Sequence, residues 1–268
     1  MSTKDDSQTA YVEANRDMWN ETADVHAAGY VQDLLKRVAA ADFTTFDEYE
    51  KAIFADIGLQ GKAVAQLSCN NGRELISCKK AGAGRCVGFD ISEKFIAQGR
   101  QLAEAGGVEV DFVCSSVYDI SHDYDEALDI VYVTIGALGW LPDLDAYFKV
   151  VARLLRPGGH FYLYEMHPIL DMFDAETGLE VKHSYFRTEP FEDEAEPDYM
   201  NPEVIVQAKS YWFHHTLSDI IGGCLKNGLS LTRFEEYDHD QSEVYKAFQD
   251  YETKPPLSYA LVAVKQTS

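Results

Sequence analysis

The sequence is poor in positive charge. Lys and Arg total 23 against 45 Asp and Glu, a formal net charge of -22, so its mean field repels polyanions. No basic stripe interrupts the acidic background, which argues against a nucleic-acid partner. No apolar run approaches the roughly 20 residues of a membrane span, and MSTKDDSQTA has neither the basic nor the apolar region of a signal peptide. Cysteine is sparse and odd in number: Cys69, Cys78, Cys86, Cys114 and Cys224, with no CxxC pair. That pattern suits reduced thiols of a cytoplasmic protein and excludes a disulfide scaffold. HExxH is missing and the eight histidines are scattered, so no metal is expected.

What is present is a chain of 268 residues, 46% hydrophobic and 25% charged, long enough to bury a complete core. Residues 1–9 are polar and read as loose. Tyr11 to Gly58 reads as mostly helical, with Trp19, Val25, Tyr30, Leu34, Leu35 and Val38 on the apolar face. From Gly61 short β-rich runs alternate with helical stretches: VAQL, RCVGFD, VEVDFVC, LDIVYVTI and HFYLYEM. The alternation predicts βαβ units and a mainly parallel sheet with helices on both faces. Asp143 to Leu155 has a helical apolar spacing, and Pro157-Gly158-Gly159 stops it.

After His167-Pro168 the pattern breaks. Residues 169–216 read as an inserted lid with an acidic loop, FEDEAEPD, expected to be a solvated tip, and a strand within VIVQAKSYWFHH. Alternation returns with SDIIGGCLKNG as a helix capped by Gly228, then the strands LSLTRFEEY and LSYALVAVK. No helix separates the last two, which predicts an antiparallel final strand. Two units follow: an N-terminal helical cap over 1–58, and a domain over 59–268 carrying the lid.

VAQLSCNNGREL is a strand, a tight polar turn and a helix, a place where a ligand meets main-chain N–H groups at a helix N-terminus. Asp90 ends the next strand at the distance where this architecture sets an acid on a ribose diol. DISEKFI is also a fair capping pattern, so Asp90 can serve the following helix too.

These segments resemble the class I S-adenosylmethionine-dependent methyltransferases. LSCNNGREL is similar to their glycine-rich loop, GFDIS to their acidic strand end, SSVYDI to their adenine-flanking segment, and LLRPGGHFYLYE to their run into the fifth strand. The resemblance implies a Rossmann-like α/β three-layer sandwich around a seven-stranded, mostly parallel sheet with its last strand antiparallel. The cofactor would be S-adenosyl-L-methionine and the acceptor a small molecule, methylated at O, N or C. The chain departs from the family at Gln66, which replaces an acid in the first strand, and at Ser68 and Asn70, which replace loop glycines. Asn tolerates positive φ better than most residues, and Ser is small.

By position, the resemblance puts Ser68, Cys69 and Gly72, with Asn70 in the same loop, along the methionine part. Asp90 would hold the ribose, Ile91 would pack on the adenine with Ser116 and Val117 at its edge, and Thr134 would lie near the methionine end. NRDMWNETADVHAAGY is similar to a cap helix of small-molecule methyltransferases, which would let Trp19, His26 and Tyr30 close the site.

In an open α/β sheet the acceptor lies beyond the strand ends, a position that selects Thr134, Gly136, Trp140, Glu165 and His167. His167, at the end of the fifth strand-like run, is the candidate general base. His214 and His215 face either the acceptor or the core, and Asp238-His239-Asp240 reads as a solvated loop. A nicotinamide-dependent oxidoreductase and a catalytically silent cofactor-binding module stay open as alternatives, and the oligomeric state is undetermined.

Overall fold

The computed structural model describes residues 2–175, 178–242 and 244–267; Met1, Glu176, Thr177, Glu243 and Ser268 lie outside it. Three helices come first: α1 Ser2–Ala28, α2 Tyr30–Arg37 and α3 Glu48–Ile57. The start is therefore helical where the polar composition of residues 1–9 predicted a loose end. Then β1 Val64–Leu67, α4 Arg73–Lys80, β2 Cys86–Asp90, α5 Glu93–Ala105, β3 Asp111–Cys114, β4 Leu128–Thr134, α6 Leu144–Leu154 and β5 Leu155–Met166 alternate.

Among the described residues of the lid segment the strands are short: β6 Phe173–Asp174, β7 Gly178–Val181, β8 Phe191–Asp193, β9 Glu196–Pro197, β10 Ile205–Val206 and β11 Ser210–Trp212. They form three two-stranded antiparallel pairs, β6 with β7, β8 with β11 and β9 with β10. The chain closes with α7 Leu217–Lys226, β12 Leu229–Tyr237 and β13 Ser258–Lys265.

One seven-stranded sheet runs in the order β12-β13-β5-β4-β1-β2-β3. β1 pairs in parallel with β2 and β4, β2 with β3, and β4 with β5. β13 lies antiparallel to both β5 and β12, as the helix-free final link predicted. The strand order reverses between β1 and β4, which opens a crevice beyond their carboxyl ends.

Period-two alternation divides the core. Ala65, Leu67, Val131, Val133, Phe161 and Leu163 face α6 and α7. Val64, Ile130, Tyr132, Tyr162 and Tyr164 face the other way, onto Phe54 of α3 and Leu75 of α4. The helical stretch before Gly58 thus splits in its packing, because α3 belongs to a helix layer of the sheet. Of α1, the buried face holds Asn15, Met18, Thr22, Ala23 and His26, more polar than an ordinary core stripe.

The layer under the sheet is also polar. Tyr132 donates to the Glu50 carboxylate, and Tyr164 donates to Asp47 at 3.0 Å. His239 stacks on Tyr49 with ring centroids 4.6 Å apart, and its Nε2 lies 2.6 Å from the Tyr164 hydroxyl. Asp240 is buried and accepts from the backbone of Ser242 and Tyr245. So Asp238-His239-Asp240 is not a solvated loop: only Asp238 stands in solvent, and the other two bind the chain.

Burial pushes the Glu50 carboxyl up to about 8, against the bonds from Tyr132 and Asp47. The folded state keeps this proton between the ordinary carboxylate range and about pH 8, while the unfolded chain loses it. Stability from this group is therefore present at low pH and lost as pH rises through that window. Glu50→Gln is expected to raise the free energy of unfolding at pH 9 but not at pH 5, by on the order of 1–3 kcal/mol, seen as a higher thermal midpoint in calorimetric melts at pH 9 alone.

Candidate active site

The turn after β1 is shaped by three residues with positive φ: Ser68 at 51°, Asn70 at 51° and Gly72 at 66°. Gly72 is obligatory on two counts, since a Cβ there would meet the Phe112 ring at 2.4 Å. Ser68 and Asn70 adopt the same left-handed region with side chains, which costs roughly 1 kcal/mol each. Asn70 recovers part of that by accepting from the Asn71 N–H at 2.8 Å.

Asp90 holds this turn in place. Its Oδ2 accepts from the Asn70 N–H at 2.7 Å and its Oδ1 from the Ser92 N–H at 2.9 Å. Ser92, not Asp90, is the N-cap of α5, accepting from the Phe95 N–H at 3.2 Å. Each Asp90 oxygen keeps a further lone pair. Burial raises this carboxyl to about 6, while the N–H bonds of Ser92 and Asn70, and the neighbouring Ile91 N–H, pull it down.

Beyond the ends of β1 and β4 lies a cavity of about 1200 Å³, larger than most single-ligand pockets. It brings together Ser68, Cys69, Asn70 and Asp90 at one wall. Ile91, Ser116 and Val117 stand on a second, Thr134 at the end of β4, and Trp19 and Tyr30 on the helical side. Trp140, Trp212, Phe173 and Phe191 wall the lid half together with Asp171, Asp174 and Asp193. Among the described lining residues Arg73 is the sole Lys or Arg. Among the described residues no group of three or more His, Cys, Asp or Glu is arranged to hold a metal ion, and no helix is long and apolar enough to cross a membrane.

Three expected site residues do not line the cavity. Gly72 sits behind the turn that it shapes. His26 is buried, with Nε2 3.1 Å from Asp198 and its ring against Tyr199, Phe95 and Tyr30. Burial lowers its pKa despite Asp198, so it packs as a neutral ring behind the wall. His167 is held by other partners. Its Nε2 meets Glu236 at 3.0 Å and its Nδ1 accepts from the Ile169 N–H at 3.1 Å, leaving no ring nitrogen for a substrate proton.

Glu165 is likewise committed to structure, accepting from the N–H groups of Gly136, Ala137, Leu138 and Met166. His214 gives Nδ1 to Asp171 at 2.8 Å, and His215 gives Nε2 to the Leu141 carbonyl at 2.8 Å. Neither lines the cavity.

The acidic loop is exposed from Glu192 to Pro197, as expected of a solvated tip, and only its last residue turns fully inward. Asp198 is 2% exposed and accepts from the Met200 and Asn201 N–H groups besides meeting His26. Two more α1 side chains bind the lid. Asn15 exchanges bonds with the main chain of Tyr211 at 2.8 and 2.9 Å, and Glu21 accepts from the Gln207 and Ala208 N–H groups, each at 2.8 Å. Sequence reasoning missed Asn15, Glu21 and Asp171. The usable signal was the polar inner face of α1.

Residues 64–159 match the methyltransferase domain model. An uncharacterized methyltransferase of Bacillus subtilis is 28% identical over 182 residues, covering 66% of this chain and 69% of its own. A ubiquinone biosynthesis O-methyltransferase of Cronobacter sakazakii is 30% identical over 105 residues, 39% of this chain and 42% of that protein. Less than half of the latter's length is therefore matched. An S-adenosylmethionine-dependent methyltransferase structure from Mesorhizobium loti shares the fold at a TM-score of 0.56, with 18% identity, over 84% of this chain and 98% of that one.

The clamp predicts a local effect. Asn15→Ala should accelerate amide hydrogen exchange at least about tenfold in residues 205–212, because two part-buried main-chain groups of Tyr211 lose their partners. Unchanged protection there, measured by mass spectrometry, would place the hold on the lid elsewhere.

Proposed function

We propose that the chain is a class I S-adenosylmethionine-dependent methyltransferase whose cavity takes the cofactor along β1, β2 and the segment after β3, and a small acceptor beneath the lid. The observation that carries this is Asp90: a buried carboxylate at the cavity wall, anchored by two N–H bonds, with a lone pair on each oxygen left for a ribose diol.

Ile91 and Val117 would bracket the adenine, with Ser116 at its edge. The main chain of Ser68 and Cys69 would follow the methionine part, Asn70 would keep the turn open, and Thr134 would stand near the sulfur. Trp19 and Tyr30 form the roof. S-adenosylmethionine supplies a methyl carbon already activated by sulfonium, so the protein's task is to align the acceptor and exclude water.

The lid half favours a neutral or cationic acceptor with an aromatic or apolar body. Asp171, Asp174, Asp193 and Asp198 line it, the described lining offers no Lys or Arg on that side, and the rings of Trp140, Phe173, Phe191, Tyr199 and Trp212 stand in its walls. In place of His167, the group suited to receive a proton is Asp171, oriented by Trp212 Nε1 at 3.2 Å and His214 Nδ1 at 2.8 Å. The net charge of -22 supports a small-molecule rather than a nucleic-acid acceptor. All five cysteines are free and four are buried, which supports a cytoplasmic setting.

Isothermal titration calorimetry tests the cofactor. S-adenosylmethionine and S-adenosylhomocysteine should bind and NADH should give no heat, and Asp90→Ala should weaken both ligands by about 1–3 kcal/mol. Silence for both sulfur ligands refutes the reading. In a methyl-transfer screen, amines and neutral aromatics are expected to be labelled and phosphorylated compounds not. Asp171→Asn should lower kcat at least about tenfold with unchanged S-adenosylhomocysteine affinity; an undiminished kcat removes Asp171 from proton transfer.

A further inference from the structure

The hairpin of β9 and β10 is built inside out. Asp198 is 2% exposed, whereas Tyr199 and Met200 beside it are 55% and 42% exposed, and Val204 and Ile205 on the same hairpin are exposed as well. Burying a carboxylate while leaving an aromatic ring bare reverses the usual distribution.

The buried carboxylate fixes the direction of the tip. Its Oδ2 meets His26 Nε2 of α1 at 3.1 Å, and its Oδ1 accepts from the N–H groups of Met200 and Asn201 at 3.0 and 2.8 Å. The Asp198 N–H donates to the Val204 carbonyl at 2.9 Å, which closes the turn. What these bonds aim is Tyr199. Its ring meets those of His26 and Trp19 at 5.0 and 6.3 Å between centroids, both edge to face, and it lines the cavity together with Pro197, Met200 and Pro202. The charges of Arg73 and Asp90, which belong to the cofactor side, act on its hydroxyl. Although the hairpin is part of the lid, its tip therefore faces the half of the cavity assigned to the cofactor. An aromatic ring left bare at a cavity wall, beside buried anchors, is a surface that a ligand completes.

We propose that Tyr199 is a cofactor-binding residue, held over the bound nucleoside by the His26–Asp198 bond, so that cofactor exchange requires the tip of the β9–β10 hairpin to lift. This rests on the cofactor reading above. Tyr199 touches the ligand, and His26 and Asp198 are positioning residues that act through it. The lid then has two duties: the strands that carry Phe173, Phe191 and Trp212 enclose the acceptor, and the hairpin retains the cofactor.

The test is the release rate of S-adenosylhomocysteine, followed by stopped-flow tryptophan fluorescence because Trp19 lines the site. Tyr199→Ala is expected to speed release about 10- to 100-fold with an unchanged melting temperature, since the ring is largely exposed in the free protein. His26→Phe keeps the ring contacts and loses the bond to Asp198. It is expected to speed release at least about fivefold by itself, but less than about twofold when Tyr199 is already alanine. His26→Gln, which keeps a donor toward Asp198, is expected to stay within about threefold of the parent. Parent-like release from Tyr199→Ala overturns the proposal. Full additivity of Tyr199→Ala and His26→Phe overturns the positioning role, as does a loss in His26→Gln equal to that in His26→Phe. If the parent protein does not bind S-adenosylhomocysteine, the cofactor reading itself is refuted, a result distinct from all of these.

Discussion

The carboxylate of Asp90 accepts main-chain N–H bonds from two separate segments, and the site is built outward from that tie. On one side it fixes Asn70 and with it a turn that contains two non-glycine residues at positive φ. On the other it fixes the Ser92 N–H, and the Ser92 hydroxyl donates to Asn20 of α1 at 2.6 Å. α1 in turn grips the lid through Asn15, Glu21 and His26. A single hydrogen-bonded path therefore leads from the glycine-poor turn to the lid. The strain at Ser68 and Asn70 is tolerated because the surrounding bonds over-determine the turn.

The elements of the sheet were legible because each is set by local apolar pattern. The burial of β1 along its whole length, the end of β2 at Asp90 and the spacing of α6 follow from runs that a sheet with two covered faces demands. The antiparallel finish followed from the absence of a crossover between LSLTRFEEY and LSYALVAVK. The expected positions from Ser68 to Thr134 that reach the cavity lie at strand ends or in the loops beside them, where fold and resemblance point alike.

The lid resisted the same reasoning for a physical reason. Asp198 sits in FEDEAEPD, a composition that normally marks solvent, and becomes buried only by meeting His26, 172 residues away. Nothing near either residue encodes that pairing. His167 misled in the opposite sense. Its position at a strand end was right, but both ring nitrogens are consumed by Glu236 and Ile169, partners that become visible only once β12 and the turn after β5 are in place. A histidine at a strand end is a base only if one nitrogen stays free.

The polarity of the α1 face fits its place over a large cavity. An apolar helix stripe of the same extent would resist opening in proportion to the area exposed, at about 25 cal/mol per Å². Hydrogen bonds such as those of Asn15 and Glu21 to the lid main chain are exchanged for bonds to water, at a net cost of only about 0.5–1.5 kcal/mol each. The buried His26–Asp198 contact gives direction to the closed arrangement, since it joins α1 to the lid through one defined hydrogen bond between two buried side chains. A roof joined in this way can specify one closed geometry for aligning two substrates and still be lifted cheaply, whereas a hydrophobic seal would trade exchange of ligands for stability.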